Sequence, residues 1–387
     1  MVNPFVEKLS TREWSPETFR RHLVQTGAPL VERVQADEVE VTFVDEPAGD
    51  TTVTLSVVIG PVIGFNEIDA EFAPVPGTPF RVLTLRMRSD LRFSYVFGRG
   101  GERVPDPFNP PPRFAGCAVE RFSGASVAVL PDALPLRWLD QAEARPAPAT
   151  ESAVFASELL GNERRVWVSL PPGEISGALP FVIHLDGTPD HSAPSVRDAL
   201  VEAGLIRPCA VVLVDQLGHQ RYRELLCDPA FSRMLADELV PWLRDRYPLS
   251  HDPGDVALAG ESFGGLCAGW TVLHHPATFG NAVLQSPSCG YHPDLKWGTG
   301  AGELLRRTPV PTLVADLLAT APVPIRVFHD AGELESSNTH SRWLDQVLRQ
   351  KGYDTVYREF AGGHDYAWWR GLFADALRWC FPVEPRS

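Results

Sequence analysis

Apolar and polar positions divide the chain into two regions with different periodicity. In the first region, four segments of β-branched and aromatic residues partly alternate with polar ones, at residues 39–43, 52–59, 80–87 and 91–97. Clusters of Gly, Pro and Asp separate them, and this pattern predicts a small antiparallel β-sandwich. Ser15 and Pro16 are a capping residue and a first-turn proline, so we also predict a short helix over residues 18–25.

In the second region, short apolar strands alternate with helical segments. Strands are predicted at residues 165–170, 181–185, 210–214, 256–259, 282–285, 325–329 and 355–360, and helices at 195–203, 231–247, 266–275, 338–350 and 366–380. This alternation predicts a mostly parallel sheet with helices on both faces. The proline-interrupted stretch 141–152 lacks periodic apolar positions. We therefore predict a helix and β-sandwich domain over 1–140, a linker over 141–152 and an α/β domain over 153–387.

One short motif indicates catalysis by a serine nucleophile. Gly260-Glu261-Ser262-Phe263-Gly264-Gly265 follows a predicted strand and precedes a predicted helix. This is the local form of the nucleophile elbow of α/β-hydrolases, in which a serine sits on a sharp turn that only glycine neighbours permit. The predicted fold is therefore an α/β-hydrolase catalytic domain preceded by a smaller all-β domain. Because a chain of this composition would show G-x-S-x-G by chance roughly one time in seven, the partners of Ser262 decide the case.

A serine nucleophile needs a histidine base, and the base needs a carboxylate that fixes its tautomer. Chain order in these hydrolases is serine, acid, histidine. His364 follows the last predicted strand, between two glycines and a helix start. Three carboxylates, Asp330, Glu333 and Glu335, follow the strand at 325–329. We expect Glu335 to be the acid because it can reach back after the glycine turn, with Asp330 as the alternative.

Acyl transfer also needs donors for the developing oxyanion. The backbone N–H after the nucleophile belongs to Phe263, and a second donor comes from the loop after an early strand, where Gly187 or Thr188 is suitable. Taken alone, the pair Asp186-Gly187 is more typical of a plain turn.

Composition narrows the choice of partner. The 387 residues include 35 basic and 49 acidic ones, for a net charge of −14, which disfavours a nucleic-acid surface and favours a small-molecule partner. With the serine motif, that partner is expected to be a small-molecule ester substrate. The six cysteines form no C-x-x-C pair, so we expect reduced cysteines, no metal site and no other cofactor. The chain also lacks a leader-like start and a long apolar span, so we expect a cytoplasmic location and no membrane partner.

Several motifs together resemble the enterochelin (enterobactin) esterase family, within the wider esterase D group. Residues 162–168 are similar to its N-R-R-V-W-I pattern, 184–187 to L-L-D-G and 221–225 to R-x-x-E-L. Further along, residues 330–335 are similar to its E-A-G-x-x-E pattern, 362–365 to G-G-H-D and 369–371 to W-R-G. The elbow differs at Glu261, where those esterases usually carry glutamine. The match at 330–335 supports Glu335 as the acid.

The first domain resembles the family more loosely. Residues 92–95 and 106–110 are similar to the R-F-x-Y and D-P-x-N-P signatures of its immunoglobulin-like N-terminal domain. We expect Asp106 and Asn109 to build a proline-stiffened turn rather than to contact substrate.

The resemblance implies a cytoplasmic serine esterase that opens the ester bonds of a catecholate siderophore trilactone so that iron is released. A ferric tricatecholate is strongly anionic, so arginines must lie near the pocket. The candidates by motif position are Arg221, Arg223 and Arg370. The alternative role for each of these arginines is that of a salt-bridge partner. Trp369 is a candidate for stacking on a catechol, and packing under the last helix is the alternative for Trp368 and Trp369.

Three other functions stay open. The chain is also suited to hydrolyse other bulky phenolic esters such as feruloyl esters, because esterase D relatives share the same core. Acyl transfer to an alcohol would use the same residues. A third possibility is a carbohydrate-binding protein built on the sandwich, with an inactive hydrolase domain.

Overall fold

A computed structural model describes residues 3–47, 52–59, 65–114, 123–294 and 310–383. The chain divides into two compact units. Among the described residues, the first consists of those up to 114, 123–135 and 361–368, and the second of those in 136–360 and 369–383. A short segment near the carboxyl end of the chain therefore groups with the first unit.

Two short helices open the first unit, α1 (Pro4–Ser10) and α2 (Pro16–Thr26). The Ser15 side chain accepts a hydrogen bond from the Thr18 N–H, 3.1 Å away, as its capping role requires. Phe19 of α2 is fully buried, with its ring centroid 5.0 Å from that of Phe80. The predicted helix is confirmed.

The rest of the first unit is antiparallel β structure. One sheet has the order β1-β2-β6-β5, and the other has the order β4-β3-β7-β8 with β9 paired to β7. The strands are β1 (Leu30–Arg33), β2 (Glu38–Asp45), β3 (Val53–Val57), β4 (Asn66–Glu67), β5 (Ala73–Pro74), β6 (Arg81–Arg88), β7 (Arg92–Arg99), β8 (Glu102–Val104) and β9 (Ser126–Val129). Phe43 and Tyr95 join the two sheets, with ring centroids 5.0 Å apart. An immunoglobulin-like assignment stays a prediction.

The turn after β8 explains one sequence signature. The Tyr95 hydroxyl donates to Asp106 at 2.7 Å, and the Asn109 amide donates to the same hydroxyl and to the Val127 carbonyl. Burial raises the pKa of Asp106 to about 6, against the opposing effect of Tyr95. These polar side chains satisfy one another inside the unit, which agrees with the expected structural turn.

The second unit contains an eight-stranded sheet of order β10-β11-β13-β12-β14-β15-β16-β17. β11 is antiparallel to both of its neighbours, β10 and β13, and all other neighbouring strands of this sheet are parallel. Bounds are β10 (Glu151–Ser157), β11 (Asn162–Ser169), β12 (Phe181–His184), β13 (Ala210–Val214), β14 (Val256–Glu261), β15 (Asn281–Gln285), β16 (Arg326–Gly332) and β17 (Asp354–Phe360). Every residue of β12 to β15 is buried, as expected for parallel strands covered on both faces.

Helices alternate with these strands. They are α3 (Arg137–Glu143), α4 (Ala193–Glu202), α5 (Arg221–Leu225), α6 (Pro229–Arg233), α7 (Val240–Arg244), α8 (Phe263–His274), α9 (Thr312–Ala319), α10 (Asn338–Gln350) and α11 (Tyr366–Cys380). The single helix predicted over 231–247 is instead interrupted by a π-helical segment, Met234–Leu239. Pro241 explains the interruption, since it has no N–H to bond the carbonyl four residues earlier.

One strand is longer than its pattern predicted. β16 was expected over 325–329 but extends to Gly332, because it pairs with Gln285 of β15 and with β17 as far as Phe360. Asp330 therefore lies inside the strand and is buried.

Two further observations concern expectations about location and cysteines. In the ranges described, every helix is too short or too polar to cross a membrane. The described cysteines are free thiols, namely Cys209, Cys227, Cys267, Cys289 and Cys380, while Cys117 lies outside the described residues.

Candidate active site

Ser262 occupies the turn between β14 and α8, at the carboxyl edge of the parallel sheet. Its backbone angles are φ 56° and ψ −114°, a conformation that non-glycine residues rarely adopt. The turn is held by two hydrogen bonds, from the Ser262 N–H to the Gln285 carbonyl and from the Ser288 N–H to the Ser262 carbonyl, each 2.9 Å long. The half-buried Ser262 hydroxyl lies 3.3 Å from that of Ser288.

The glycines of the motif are required by close backbone contact. A Cβ at Gly260 would lie 2.6 Å from the carbonyl carbon of Gly264. A Cβ at Gly265 would lie 3.0 Å from the Gly260 carbonyl oxygen. The strand and the helix therefore approach one another closely enough to hold the serine on a strained turn.

The predicted oxyanion donors lie on two loops of the second unit. Phe263 begins α8 directly after the nucleophile. The Gly187 N–H donates to the Val214 carbonyl at 2.9 Å, so it is committed to the sheet. Of the two donors considered in that loop, the Thr188 N–H is the better candidate.

Arg221 connects these two loops. It donates to both oxygens of Asp186, at 2.9 Å from Nε, and its guanidinium lies 5.3 Å from the Phe263 ring centroid. Burial raises the pKa of Asp186, although Arg221 acts in the opposite direction. Arg221 thus orients the loop before Thr188.

The other two arginines predicted from motif position differ in exposure. Arg223 is exposed, whereas Arg370 is buried in α11.

Glu335 follows β16, and its carboxylate is surrounded by hydrogen-bond donors. Its Oε1 accepts from the Ser286 hydroxyl at 2.7 Å and from the Gly332 N–H, and its Oε2 accepts from the Ser337 hydroxyl at 2.9 Å. Ser286 in turn accepts from the Trp369 indole N–H at 2.8 Å. Donors of this kind stabilise the ionised carboxylate and fix its direction.

Asp330 has a different environment. Burial raises its pKa to about 8, in spite of the Ser286 N–H, which donates to it at 3.2 Å. A carboxyl group that is mostly protonated at neutral pH supplies little negative charge to a histidine. This electrostatic difference favours Glu335 as the acid.

His364 is buried in the loop between β17 and α11, which groups with the first unit. Asp365, its neighbour, accepts from the Ser94 N–H at 2.5 Å and the Ser94 hydroxyl at 2.7 Å. The Trp368 indole donates to the Arg92 carbonyl at 2.8 Å, and a Cβ at Gly363 would lie 2.8 Å from the Val58 carbonyl oxygen. Strand β7 therefore fixes the backbone after His364, and Val58, which follows β3, lies against the backbone before it.

Both tryptophans of α11 are packed inside the protein. Trp368 and Trp369 have exposed fractions of 0% and 2%. Each indole N–H is used within its own unit, by the Arg92 carbonyl and by the Ser286 hydroxyl respectively.

Sequence reasoning missed two histidines next to the elbow. One side-chain nitrogen or oxygen atom from each of His184, His191 and Glu261 lies within 4.8 Å of the other two. Among the described residues, this is the one cluster of His, Cys, Asp and Glu side chains close enough to hold a metal ion together. Glu261 Oε1 is 3.4 Å from His184 Nε2 and 3.5 Å from His191 Nε2. The available signal was that His184 and Glu261 both stand where the resembled patterns carry an uncharged residue, leucine and glutamine.

This chain is similar to known esterases. A family model described as a putative esterase matches residues 157–380. The iron(III) enterobactin esterase of Dickeya dadantii is 28% identical over 96% of this chain and 94% of its own length. That of Escherichia coli K12 is 30% identical over 71% of this chain and 67% of its own length.

A solved structure is similar over nearly the whole chain. The enterobactin esterase of Shigella flexneri, determined in the presence of enterobactin, superposes with a TM-score of 0.76 at 23% identity, covering 92% of this chain and 96% of that one. This similarity shows that the fold is α/β-hydrolase-like. Together with the family match over most of the chain, it shows that the protein is a carboxylic ester hydrolase and belongs to the enterochelin esterase family.

Proposed function

We propose that the protein hydrolyses the ester bonds of a catecholate siderophore trilactone through an acyl-enzyme on Ser262, and so releases iron inside the cell. The conformation of Ser262 carries this proposal, since a serine held at φ 56° on a strand-to-helix turn has the strained backbone typical of a nucleophile elbow. The substrate class is supported by the relatives, which are named iron(III) enterobactin and iron(III) salmochelin esterases.

In the proposed first step, the Ser262 hydroxyl oxygen attacks the ester carbonyl carbon while the His364 imidazole takes its proton. The carbonyl electrons move to oxygen, where the N–H groups of Phe263 and Thr188 stabilise the charge. Collapse breaks the bond to the alkoxy group, which leaves with the proton from His364. The Glu335 carboxylate stabilises the imidazolium meanwhile.

The second step regenerates the enzyme. Water attacks the acyl carbon of the Ser262 ester, giving its proton to His364, and the serine leaves with that proton. Each cycle opens one ester, so a trilactone first becomes a linear chain with one free carboxylate. No redox change is needed.

The position of Glu261 is compatible with an anionic substrate. A carboxylate facing the pocket would repel a ferric catecholate, but that of Glu261 is buried and faces His184 and His191. Of the three arginines predicted to contact substrate, Arg221 is paired with Asp186, Arg370 is buried and Arg223 is exposed. We therefore assign catecholate contact first to Arg223.

Product analysis by mass spectrometry tests the proposal. Incubation with enterobactin, free and iron-loaded, should yield products whose summed mass exceeds that of the trilactone by one water for each ester opened. A fluorophosphonate should label Ser262, and labelling at this serine should persist in Ser288→Ala, the matched removal of the neighbouring hydroxyl. Faster cleavage of methyl ferulate than of enterobactin would instead favour the phenolic ester alternative.

Arg223→Gln separates substrate recognition from chemistry. We expect KM for the iron-loaded siderophore to rise several-fold and KM for uncharged methyl ferulate to change little, because only the first substrate carries catecholate charge. Equal changes for both substrates would remove Arg223 from the proposed pocket.

A further inference from the structure

The cluster of His184, His191 and Glu261 lies between the two loops that the proposed chemistry requires. Glu261 ends β14 and directly precedes the nucleophile Ser262. His184 ends β12, the strand beside β14, and leads into the loop that carries Thr188. Side-chain exposure is 0% for His184, 5% for Glu261 and 13% for His191, so their charges must be balanced locally.

The two oxygen neighbours of His184 indicate where its protons lie. Its Nδ1 lies 2.9 Å from the Leu185 carbonyl oxygen, which can only accept, so Nδ1 carries a hydrogen. Its Nε2 lies 3.4 Å from the Glu261 carboxylate, which also accepts when ionised. This second contact has the distance of an ion pair and does not meet the geometry of a hydrogen bond. Because Nδ1 faces a carbonyl and Nε2 faces a carboxylate, we assign the ring as an imidazolium.

His191 has the opposite arrangement. Its Nδ1 accepts from the Ala193 N–H at 3.1 Å and therefore carries no hydrogen, which leaves the proton on Nε2, 3.5 Å from Glu261. His191 is thus a neutral ring that points its N–H at the carboxylate. One cation and one anion remain, and the cluster is neutral overall.

The protonation equilibria agree with this assignment. Burial lowers the pKa of His184, but Glu261, the Leu185 carbonyl and Asp186 together outweigh it and leave that pKa above its ordinary value. Burial raises the pKa of Glu261, but His184 and His191 outweigh it and leave that pKa below its ordinary value. For His191, burial and the His184 charge both lower the pKa, and the ring stays neutral.

Other charged groups face the cluster without changing its balance. Asp186 attracts His184 but is itself paired with Arg221. Arg370 acts on His191 and disfavours its protonation. Asp330 interacts with Glu261, and its carboxyl is mostly neutral because its pKa is about 8. The Phe373 ring closes one side, 5.2 Å from the His184 ring centroid.

A metal ion fits the cluster less well than protons do. An ion between the three residues would need a bare Nε2 on both rings, with each remaining proton on Nδ1. Nδ1 of His191 instead receives the Ala193 N–H. The contacts of the cluster therefore favour an ion pair of His184 and Glu261 over a metal site.

Resting on the function proposed above, we propose that His184 and Glu261 are positioning residues, whose buried ion pair sets the distance between the nucleophile turn and the oxyanion loop. A buried pair of this kind adds little net stability but specifies one geometry. Its loss lets the two loops shift relative to one another, and a small misplacement of reacting groups lowers kcat more than it raises KM.

A charge-rescue experiment tests the pairing. In the full chain, His184→Leu leaves the Glu261 carboxylate buried without its cation, so we expect kcat to fall about 10- to 100-fold while KM changes less than about threefold. Adding Glu261→Gln removes the stranded charge, and the double variant should recover at least about tenfold of the lost kcat. His274→Leu, which removes a histidine from α8 outside the cluster, is the control for loss of an imidazole. If the double variant is as slow as His184→Leu, the missing ring volume matters and the charge does not, which overturns the proposal.

A measurement independent of activity covers the case in which the proposed function itself fails. ¹⁵N NMR of the histidine rings at neutral pH, assigned with His184→Leu, should show both nitrogens of His184 protonated and one nitrogen of His191 bare. A bare His184 Nε2, or one equivalent of tightly bound zinc that Glu261→Gln abolishes, overturns the ion pair. If wild-type protein cleaves no ester and resists fluorophosphonate but the rings titrate as described, the proposed function fails while the proton assignment stands.

Discussion

The contact between Asp365 and Ser94 gives a sharp test of how the His364 loop is held. Asp365 Oδ2 accepts the Ser94 N–H at 2.5 Å, and Oδ1 accepts the Ser94 hydroxyl at 2.7 Å and the Ala367 N–H at 2.9 Å. Asparagine has one acceptor oxygen and one amino group. In Asp365→Asn, at least one of the two backbone N–H groups therefore faces another donor.

The expected magnitudes follow from burial. Ser94 and Asp365 are 4% and 2% exposed, so water does not replace a lost partner. An unsatisfied buried N–H costs about 1–3 kcal/mol, and a hydrogen bond to a charged group contributes about 1.5–3 kcal/mol. We expect both Asp365→Asn and Ser94→Ala to lower the free energy of unfolding by amounts within these ranges. Ser56→Ala, at another buried serine of the same sheet, should cost less.

Activity separates positioning from stability. Urea denaturation gives the free energy of unfolding, and steady-state kinetics well below the unfolding transition give kcat. Because His364 is next to Asp365, we expect kcat to fall about 10- to 100-fold in Asp365→Asn while most molecules remain folded. A variant that loses stability but keeps wild-type kcat would refute the reasoning, since Asp365 would then stabilise the fold without orienting the base.

Three further predictions concern the acid and the elbow. Glu335→Gln should lower kcat by about 10³- to 10⁴-fold and Asp330→Asn by much less, as steady-state kinetics on one ester would show; the reverse order would make Asp330 the acid. Because the folded-state pKa of Asp330 is raised to about 8, the folded protein binds the extra proton, and the free energy of unfolding should fall as pH rises from about 4 to 8. Urea titrations across that range should show this slope weakened in Asp330→Asn, and an unchanged slope would contradict the shift. Gly260→Ala should abolish Ser262 labelling or folding, since its Cβ would lie 2.6 Å from Gly264, and a folded, labelled variant would disprove the close contact.

Much of the fold follows from local patterns. Strand and helix alternation predicted the mostly parallel sheet, because each element must bury one face against its neighbours. The glycine spacing predicted the turn at Ser262, where backbone contact excludes a side chain at Gly260. The length of β16 was wrong because pairing on both sides, not local composition, decides where a buried strand ends.

The partners of individual side chains were harder to predict. His184 and Glu261 are 77 positions apart in the numbering, and only the pairing of β12 with β14 brings them together. Arg221 was assigned to substrate from its motif, yet it forms a buried ion pair with Asp186. Likewise, Glu224 of the same motif pairs with Arg164 of the entry strand at 2.8 Å, so part of that signature is structural.

Product formation from enterobactin by wild-type protein and by Ser262→Ala, followed by mass spectrometry, tests the central claim most directly. The wild type should convert the trilactone to products whose summed mass has gained one water for each ester opened, and an acyl adduct trapped at early times should map to Ser262. Ser262→Ala should form neither, with circular dichroism showing that it is folded. Products formed at the wild-type rate by Ser262→Ala would contradict the mechanism, and an intact trilactone after incubation with wild type would contradict the proposed substrate.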